Sequence, residues 1–160
     1  MWRVTLLCVG KLKEAYWRDA CAEYEKRLGA FCKLTIVEVA EERLPDEPNA
    51  TQIYAALEAE GKRLLAQWPR DSVGAALCIE GKELDSPALS RRIDAWALEG
   101  MSHLTLVIGG SYGLSEEVKR QAALRLSMSP MTFPHQLARV MVLEQLYRAF
   151  QISINGKYHK

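Results

Sequence analysis

The stretch Leu104-Thr105-Leu106-Val107-Ile108-Gly109-Gly110-Ser111-Tyr112-Gly113-Leu114 sets the architecture of this chain. A short run of Leu, Thr, Val and Ile closed by turn residues is a buried strand. It empties into three glycines within five positions, which permit positive φ and let backbone approach a ligand closely. Ser115-Glu116-Glu117 then supplies an N-cap and two acids for the first turn of a helix, where the macrodipole favours negative charge. A wholly apolar strand that turns on glycine into a helix belongs to a parallel α/β sheet covered on both faces.

The same grammar repeats outward. Leu124 to Met128 is a second short strand, followed by the irregular segment Ser129-Pro130-Met131-Thr132-Phe133, whose backbone groups are free for a ligand. Pro134 opens a long helix reaching about Ile152. Toward the N-terminus, Val73 to Ile79 is a strand closing with Glu80-Gly81-Lys82, and Ser86-Pro87 starts a helix ending near Glu99-Gly100. Arg3 to Val9 is a strand ending at Gly10. A helix from Glu14 to Leu28 carries the inward stripe Trp17, Cys21, Tyr24 and Leu28, with Gly29 as C-cap. Lys33 to Val39 is a further strand, and Glu41 to Asn49, with Pro45 and Pro48, is an acidic surface loop. Asn49 and Gln52 form a capping box for a helix to about Trp68. Five β-α pairs with helical crossovers predict an α/β fold: a mostly parallel sheet, helices on both faces, and a single domain over residues 1–160.

Composition narrows the class. With 49% apolar and 26% charged residues, the chain reads as an ordinary globular protein. No apolar run approaches the ~18 residues a bilayer span needs. The apolar N-terminal stretch is too short and strand-like for a signal peptide, so a cytoplasmic location is expected. Cys8, Cys21, Cys32 and Cys78 form no C-x-x-C pair, and His103, His135 and His159 lack metal-ligand spacing. A metal is not expected, and the cysteines read as small hydrophobes. Charge is uneven along the chain: Val118 to Lys160 holds seven Lys or Arg against one acid, whereas the preceding residues hold 14 against 19. A basic end on a near-neutral chain points to an anionic partner.

Two strand ends feeding two Gly- or Pro-marked loops describe a small-molecule pocket at the carboxyl edge of the sheet. The glycine turn is neither the dinucleotide fingerprint nor a P-loop, and a tight turn without ligand would use the same residues. Met and Phe in the second loop suit the flanks of a flat base, or a plug for the sheet edge. The last helix is apolar all round, which predicts burial on every side and suggests a two-fold dimer through its outer face. His135 and Arg139 share one face of it; Glu144 and Arg148, at i and i+4, read as a structural ion pair. Ser153 to Lys160 has no cap or periodicity. Such tails are usually frayed, yet Tyr158, His159 and Lys160 together would suit base stacking and phosphate contact with RNA.

Taken in order, Val107-Ile108-Gly109-Gly110, Gly113-Leu114, Met131-Thr132-Phe133-Pro134-His135-Gln136, Arg139, Glu144-Gln145, Tyr147-Arg148-Ala149 and Tyr158-His159-Lys160 resemble the RlmH family of SPOUT-class methyltransferases. Val9-Gly10-Lys11-Leu12-Lys13 and Glu23-Tyr24-Glu25-Lys26-Arg27-Leu28 fit the same family, so the likeness spans the chain. The resemblance implies a sheet whose C-terminal part is threaded into a trefoil knot, an exception to unknotted topology. It also implies a homodimer packed through the knot and last helix. S-adenosylmethionine would bind at Leu77, Gly109, Gly110 and the run Met128, Ser129, Pro130, Met131, Thr132 and Phe133. The implied reaction is methylation of N3 of a pseudouridine in 23S rRNA on the assembled ribosome. Arg139, Tyr158 and His159 are the expected catalytic residues, with His159 or solvent taking the proton, and His135, Arg139 and Lys160 the expected substrate contacts. Pro130 departs from the family pattern, as a stiffer loop residue.

Two competing readings have their own signatures. A ribosome-assembly factor that kept the fold but lost the reaction would not bind the cofactor. A SPOUT enzyme acting on transfer RNA would methylate deproteinised tRNA. No appended RNA-binding domain is expected, and the net charge is only +1. A substrate that supplies its own docking surface is therefore expected, with isolated RNA bound weakly and with a steep loss in salt.

Overall fold

Alternation along β1 (Trp2–Val9) sends Val4, Leu6 and Cys8 to one face and Leu7 and Val9 to the other, and all five are buried. Period-two burial on both faces requires cover on both. The computed structural model describes all residues 1–160, and every strand is followed by a helix: α1 (Ala15–Leu28), β2 (Cys32–Val39), α2 (Ala50–Ala66), β3 (Val73–Glu83), α3 (Ser86–Leu98), β4 (His103–Ile108), α4 (Glu116–Gln121), β5 (Leu124–Ser127) and α5 (His135–Ser153). The strands form one sheet in the order β2-β1-β4-β3-β5, with every pairing parallel.

One apolar cluster joins Val4, Leu6, Leu104 and Leu106 to Cys21 and Leu28 of α1, Ile93 and Trp96 of α3, and Leu143, Leu146 and Phe150 of α5. A smaller cluster on the opposite face joins Leu7, Val9 and Val107 to Leu64, Trp68 and Val118. The α/β alternation and two-sided cover expected from sequence are therefore present.

Local details differ. The helix after β3 is capped by Asp85, whose carboxylate accepts from Ala88 N at 2.8 Å, so Ser86 is already helical. Gly29 ends α1 in the right-handed region (φ −57°), so that cap uses none of glycine's freedom. The capping box of Asn49 and Gln52 is present, at 2.8 and 2.9 Å. β3 does not stop at Ile79. It pairs Leu77 with Leu126, leaves the ladder, and rejoins β5 at Lys82↔Leu126. A polar Glu-Gly-Lys run looked like a strand end because its partner lies far away in the chain.

Helix α5 lies between α1 and α3 over the sheet. Every residue of it up to Ile152 is buried or half-buried within one chain. Two neighbouring helices supply most of the cover that its all-round apolar sequence requires.

Candidate active site

The carboxyl ends of β3, β4 and β5 open into a cleft of ≈ 410 Å³, where open parallel sheets bind ligands and within the size range of small-molecule sites. Leu77 comes from β3, Gly109 and Gly110 from the turn after β4, and Met128, Ser129, Met131, Thr132 and Phe133 from the loop after β5. Every position expected for a cofactor thus lines one cleft except Pro130. The second concavity, ≈ 20 Å³ and almost wholly apolar, is buried between the sheet, α3 and α5, with room for about one water.

The glycine turn is built for close approach. A Cβ on Gly109 would stand 2.2 Å from the Gly113 carbonyl oxygen, and Gly113 itself has φ +87°. An antiparallel bridge joins Gly110 to Gly113, so the turn is a rigid loop with Ser111 and Tyr112 at its tip. The loop after β5 is held by its serines: Ser127 Oγ donates to the Ser129 carbonyl (3.2 Å), and Met131 N donates to Ser129 Oγ (3.0 Å). S-adenosylmethionine fits this donor set. A flat base needs apolar flanks and free backbone groups, and the cleft offers Leu77, Leu126, Met128 and Phe133 beside a glycine backbone.

Four lining residues escaped the sequence reading: Cys78, Ile79, Glu80 and Lys119. Cys78 had been placed only as a structural thiol. Lys119 Nζ donates to Glu80 and lies 3.5 Å from Glu116. The Lys119 hydrogen bond holds the Glu80 carboxyl below the usual carboxylate range. No local pattern signals this pair, because α4 and the end of β3 meet only through the fold.

Of the expected substrate and catalytic residues, only His135 borders the cleft. Arg139, one turn further along α5, is buried. Its guanidinium donates to Glu38 (2.7 Å) and to the Gly10 carbonyl (3.2 Å), tying α5 to the ends of β1 and β2.

The tail is ordered against its own α5, where fraying was the sequence expectation. Tyr158 packs edge-on to Tyr147 at 4.8 Å and donates to Glu144 (2.9 Å). Arg148 bonds Glu144 at 2.7 Å, the ion pair expected from their spacing, and covers the Tyr158 ring at 4.6 Å. Burial and the bond to Glu144 push the Tyr158 phenol up to about 12, so at neutral pH it is a donor. Arg148 Nη1 lies 3.1 Å from His159 Nδ1. An arginine only donates, so Nδ1 accepts and the neutral ring carries its proton on Nε2. Docked this way, Nδ1 is occupied by Arg148. Lys160 is exposed and, with Tyr158 and His159, lies outside the cleft of its own chain.

A sequence profile described as "Predicted SPOUT methyltransferase" matches residues 2–159. This chain belongs to the SPOUT methyltransferase family. Within the family it falls among the RlmH proteins. It is 49% identical over 157 residues, 98% of this chain and 99% of the relative, to "Ribosomal RNA large subunit methyltransferase H" of Bifidobacterium animalis subsp. lactis (strain AD011). A protein of the same name from Bifidobacterium adolescentis (strain ATCC 15703) is 48% identical over 158 residues, covering 99% of each chain. Among solved structures, a probable methylase family protein from Haemophilus influenzae Rd KW20 superposes with a TM-score of 0.53 at 15% identity, over 99% of this chain and 70% of that one. That likeness shows a shared fold. No helix is long and apolar enough to cross a membrane.

Proposed function

We propose that this SPOUT methyltransferase transfers the methyl group of S-adenosylmethionine to N3 of a pseudouridine in 23S rRNA, acting on assembled ribosomes in the cytoplasm. The observation that carries the reading is the cleft, where the positions expected for the cofactor, Pro130 excepted, come together from β3 and the segments after β4 and β5. The near-full-length likeness to proteins named for large-subunit rRNA methylation supports the substrate.

The cofactor supplies a methyl already activated on a sulfonium, so the chain's own work is alignment. The glycine turn and the loop after β5 grip the cofactor through backbone and apolar contact. The acceptor N3 loses its proton as the N–CH₃ bond forms, and a positive environment favours the deprotonated base. Tyr158, as a donor, and Lys160 position the base and its phosphates. His159 takes the proton once its contact with Arg148 is released. Arg139 acts from inside, holding α5 and hence His135 at the cleft.

The tail reaches the cleft of a partner subunit across a homodimer formed through α5. That dimer rests on the family resemblance, since a single chain leaves no wide apolar face of α5 open. A trefoil knot is part of the same proposal, and the excursion of β3 over β5 at Gly81 supports it.

The test uses isotopically methyl-labelled S-adenosylmethionine, purified protein and ribosomes lacking the modification, with free rRNA and tRNA in parallel, read by nucleoside mass spectrometry. Labelled N3-methylpseudouridine from ribosomes alone is the expected result. Label in tRNA favours the transfer-RNA reading, and no cofactor binding favours the assembly-factor reading.

A further inference from the structure

The cleft wall nearest β5 is made by a segment with no ladder of its own. Between Leu77↔Leu126 and Lys82↔Leu126, residues 78–81 swing out over the edge strand and come back. Cys78, Ile79 and Glu80 of this excursion line the cleft. Its far end is pressed onto β5: a Cβ on Gly81 would lie 2.7 Å from the Arg125 carbonyl carbon. Backbone outside a regular ladder register opens more readily unless something else ties it down.

Lys119 is that tie. Its ammonium donates to Glu80 and lies 3.5 Å from Glu116 Oε1, while Arg125 Nη1 lies 3.6 Å from Glu116 Oε2. Four charges in a row therefore join the excursion, α4 and β5. The Lys119 side chain is 13% exposed, which holds its ammonium in place, while Glu80 and Glu116 are 56% and 64% exposed and face solvent. Burial opposes its charge, and Glu80 and Glu116 outweigh that penalty, leaving its pKa raised.

We infer that the Glu80–Lys119 pair is a latch that fixes the cleft wall in its ligand-ready shape, and that both are positioning residues for the cofactor. The inference rests on the cofactor reading proposed above. A wall ordered beforehand removes an ordering cost from binding. The latch therefore acts on affinity, and methyl transfer at saturating cofactor is touched less.

Amide hydrogen exchange of the ligand-free protein tests the latch without any cofactor. Lys119→Met and Glu80→Gln should each speed exchange of residues 78–81 by about tenfold and leave the β1 and β4 amides protected. Calorimetry with S-adenosylmethionine should show Kd raised about tenfold in each variant, an affinity loss of about 1.4 kcal/mol. In the ribosome assay the loss falls on the cofactor KM more than on kcat. Lys119→Arg restores both readouts, and the double variant is no weaker than either single one, as for two halves of one device. Unchanged exchange overturns the latch. Faster exchange with unchanged Kd overturns its role toward the cofactor, as does an additive double variant. If the unaltered protein does not bind S-adenosylmethionine, the cofactor reading and the role built on it fall together, a result read from that protein alone.

Discussion

Cys78 is the residue that reports most directly on the cleft. Burial pushes the Cys8 thiol up to about 12 and the Cys32 thiol to about 11, and it raises Cys21 as well. All three sit in the core as small hydrophobes. Cys78 is also raised, first by burial and then by Glu80, but it is half-buried on the cleft wall. A thiol reagent should therefore label Cys78 first, slowly at neutral pH and faster as pH rises, because the thiolate is the reactive form. Saturating S-adenosylmethionine should slow that labelling by about tenfold, read by mass spectrometry of the Cys78 peptide. Equal rates with and without cofactor would place the ligand away from β3. Sequence reads all four cysteines as small hydrophobes because they form no C-x-x-C pair. It could not single out Cys78, since a thiol in an apolar run looks the same whether the strand continues into the core or bends over an edge.

Among the elements, α5 with its folded-back tail carries the clearest pH signature. The Tyr158 phenol is stabilised in its neutral form, so its share of tail docking is complete below the ordinary phenol value near 10. That share is lost as pH rises through about 12. Tail docking should thus be constant across the physiological range and weaken only in strong alkali. Absorbance titration of the protein against its Tyr158→Phe variant should show one phenol ionising near 12. In Glu144→Gln, which removes the accepting carboxylate, that phenol should return toward 10. A phenol titrating near 10 in the unaltered protein would mean an undocked tail. The elements themselves were legible because each rests on local information: the apolar run of β4, the Asn49–Gln52 box, the Trp17, Cys21, Tyr24 and Leu28 stripe. The tail was not, because residues 154–160 carry no period. Their order comes from a turn at Asn155 (φ 55°) that brings Tyr158 and His159 back onto Glu144 and Arg148.

For the whole molecule, the charge imbalance along the sequence largely disappears on folding. Of the seven basic residues after Val118, Lys119 meets Glu80 and Glu116, Arg125 meets Glu116, Arg139 meets Glu38 and Arg148 meets Glu144. Only Arg120, Lys157 and Lys160 of the seven pair with no acid. Three of the four acids that neutralise the others, Glu38, Glu80 and Glu116, lie before Val118, which is why linear counting overstated the field. The two loops expected to hold a cofactor, by contrast, do meet in one cleft, because strand ends in a parallel sheet all open on one edge. RNA capture by such a surface should be weak, and its salt dependence follows from how many cations meet phosphate. Each neutralised phosphate contributes about 0.7 to 0.9 to the slope of log K against log salt, so contact through these three C-terminal cations alone gives a slope of about −2 to −3 per protomer. Fluorescence anisotropy of a labelled rRNA hairpin titrated from low to physiological salt measures it directly. A slope steeper than about −6 would require cations from the first 117 residues to contact phosphate as well. A slope near −2 means that the large-subunit surface, and not the charge of this small domain, brings the target base to the cleft.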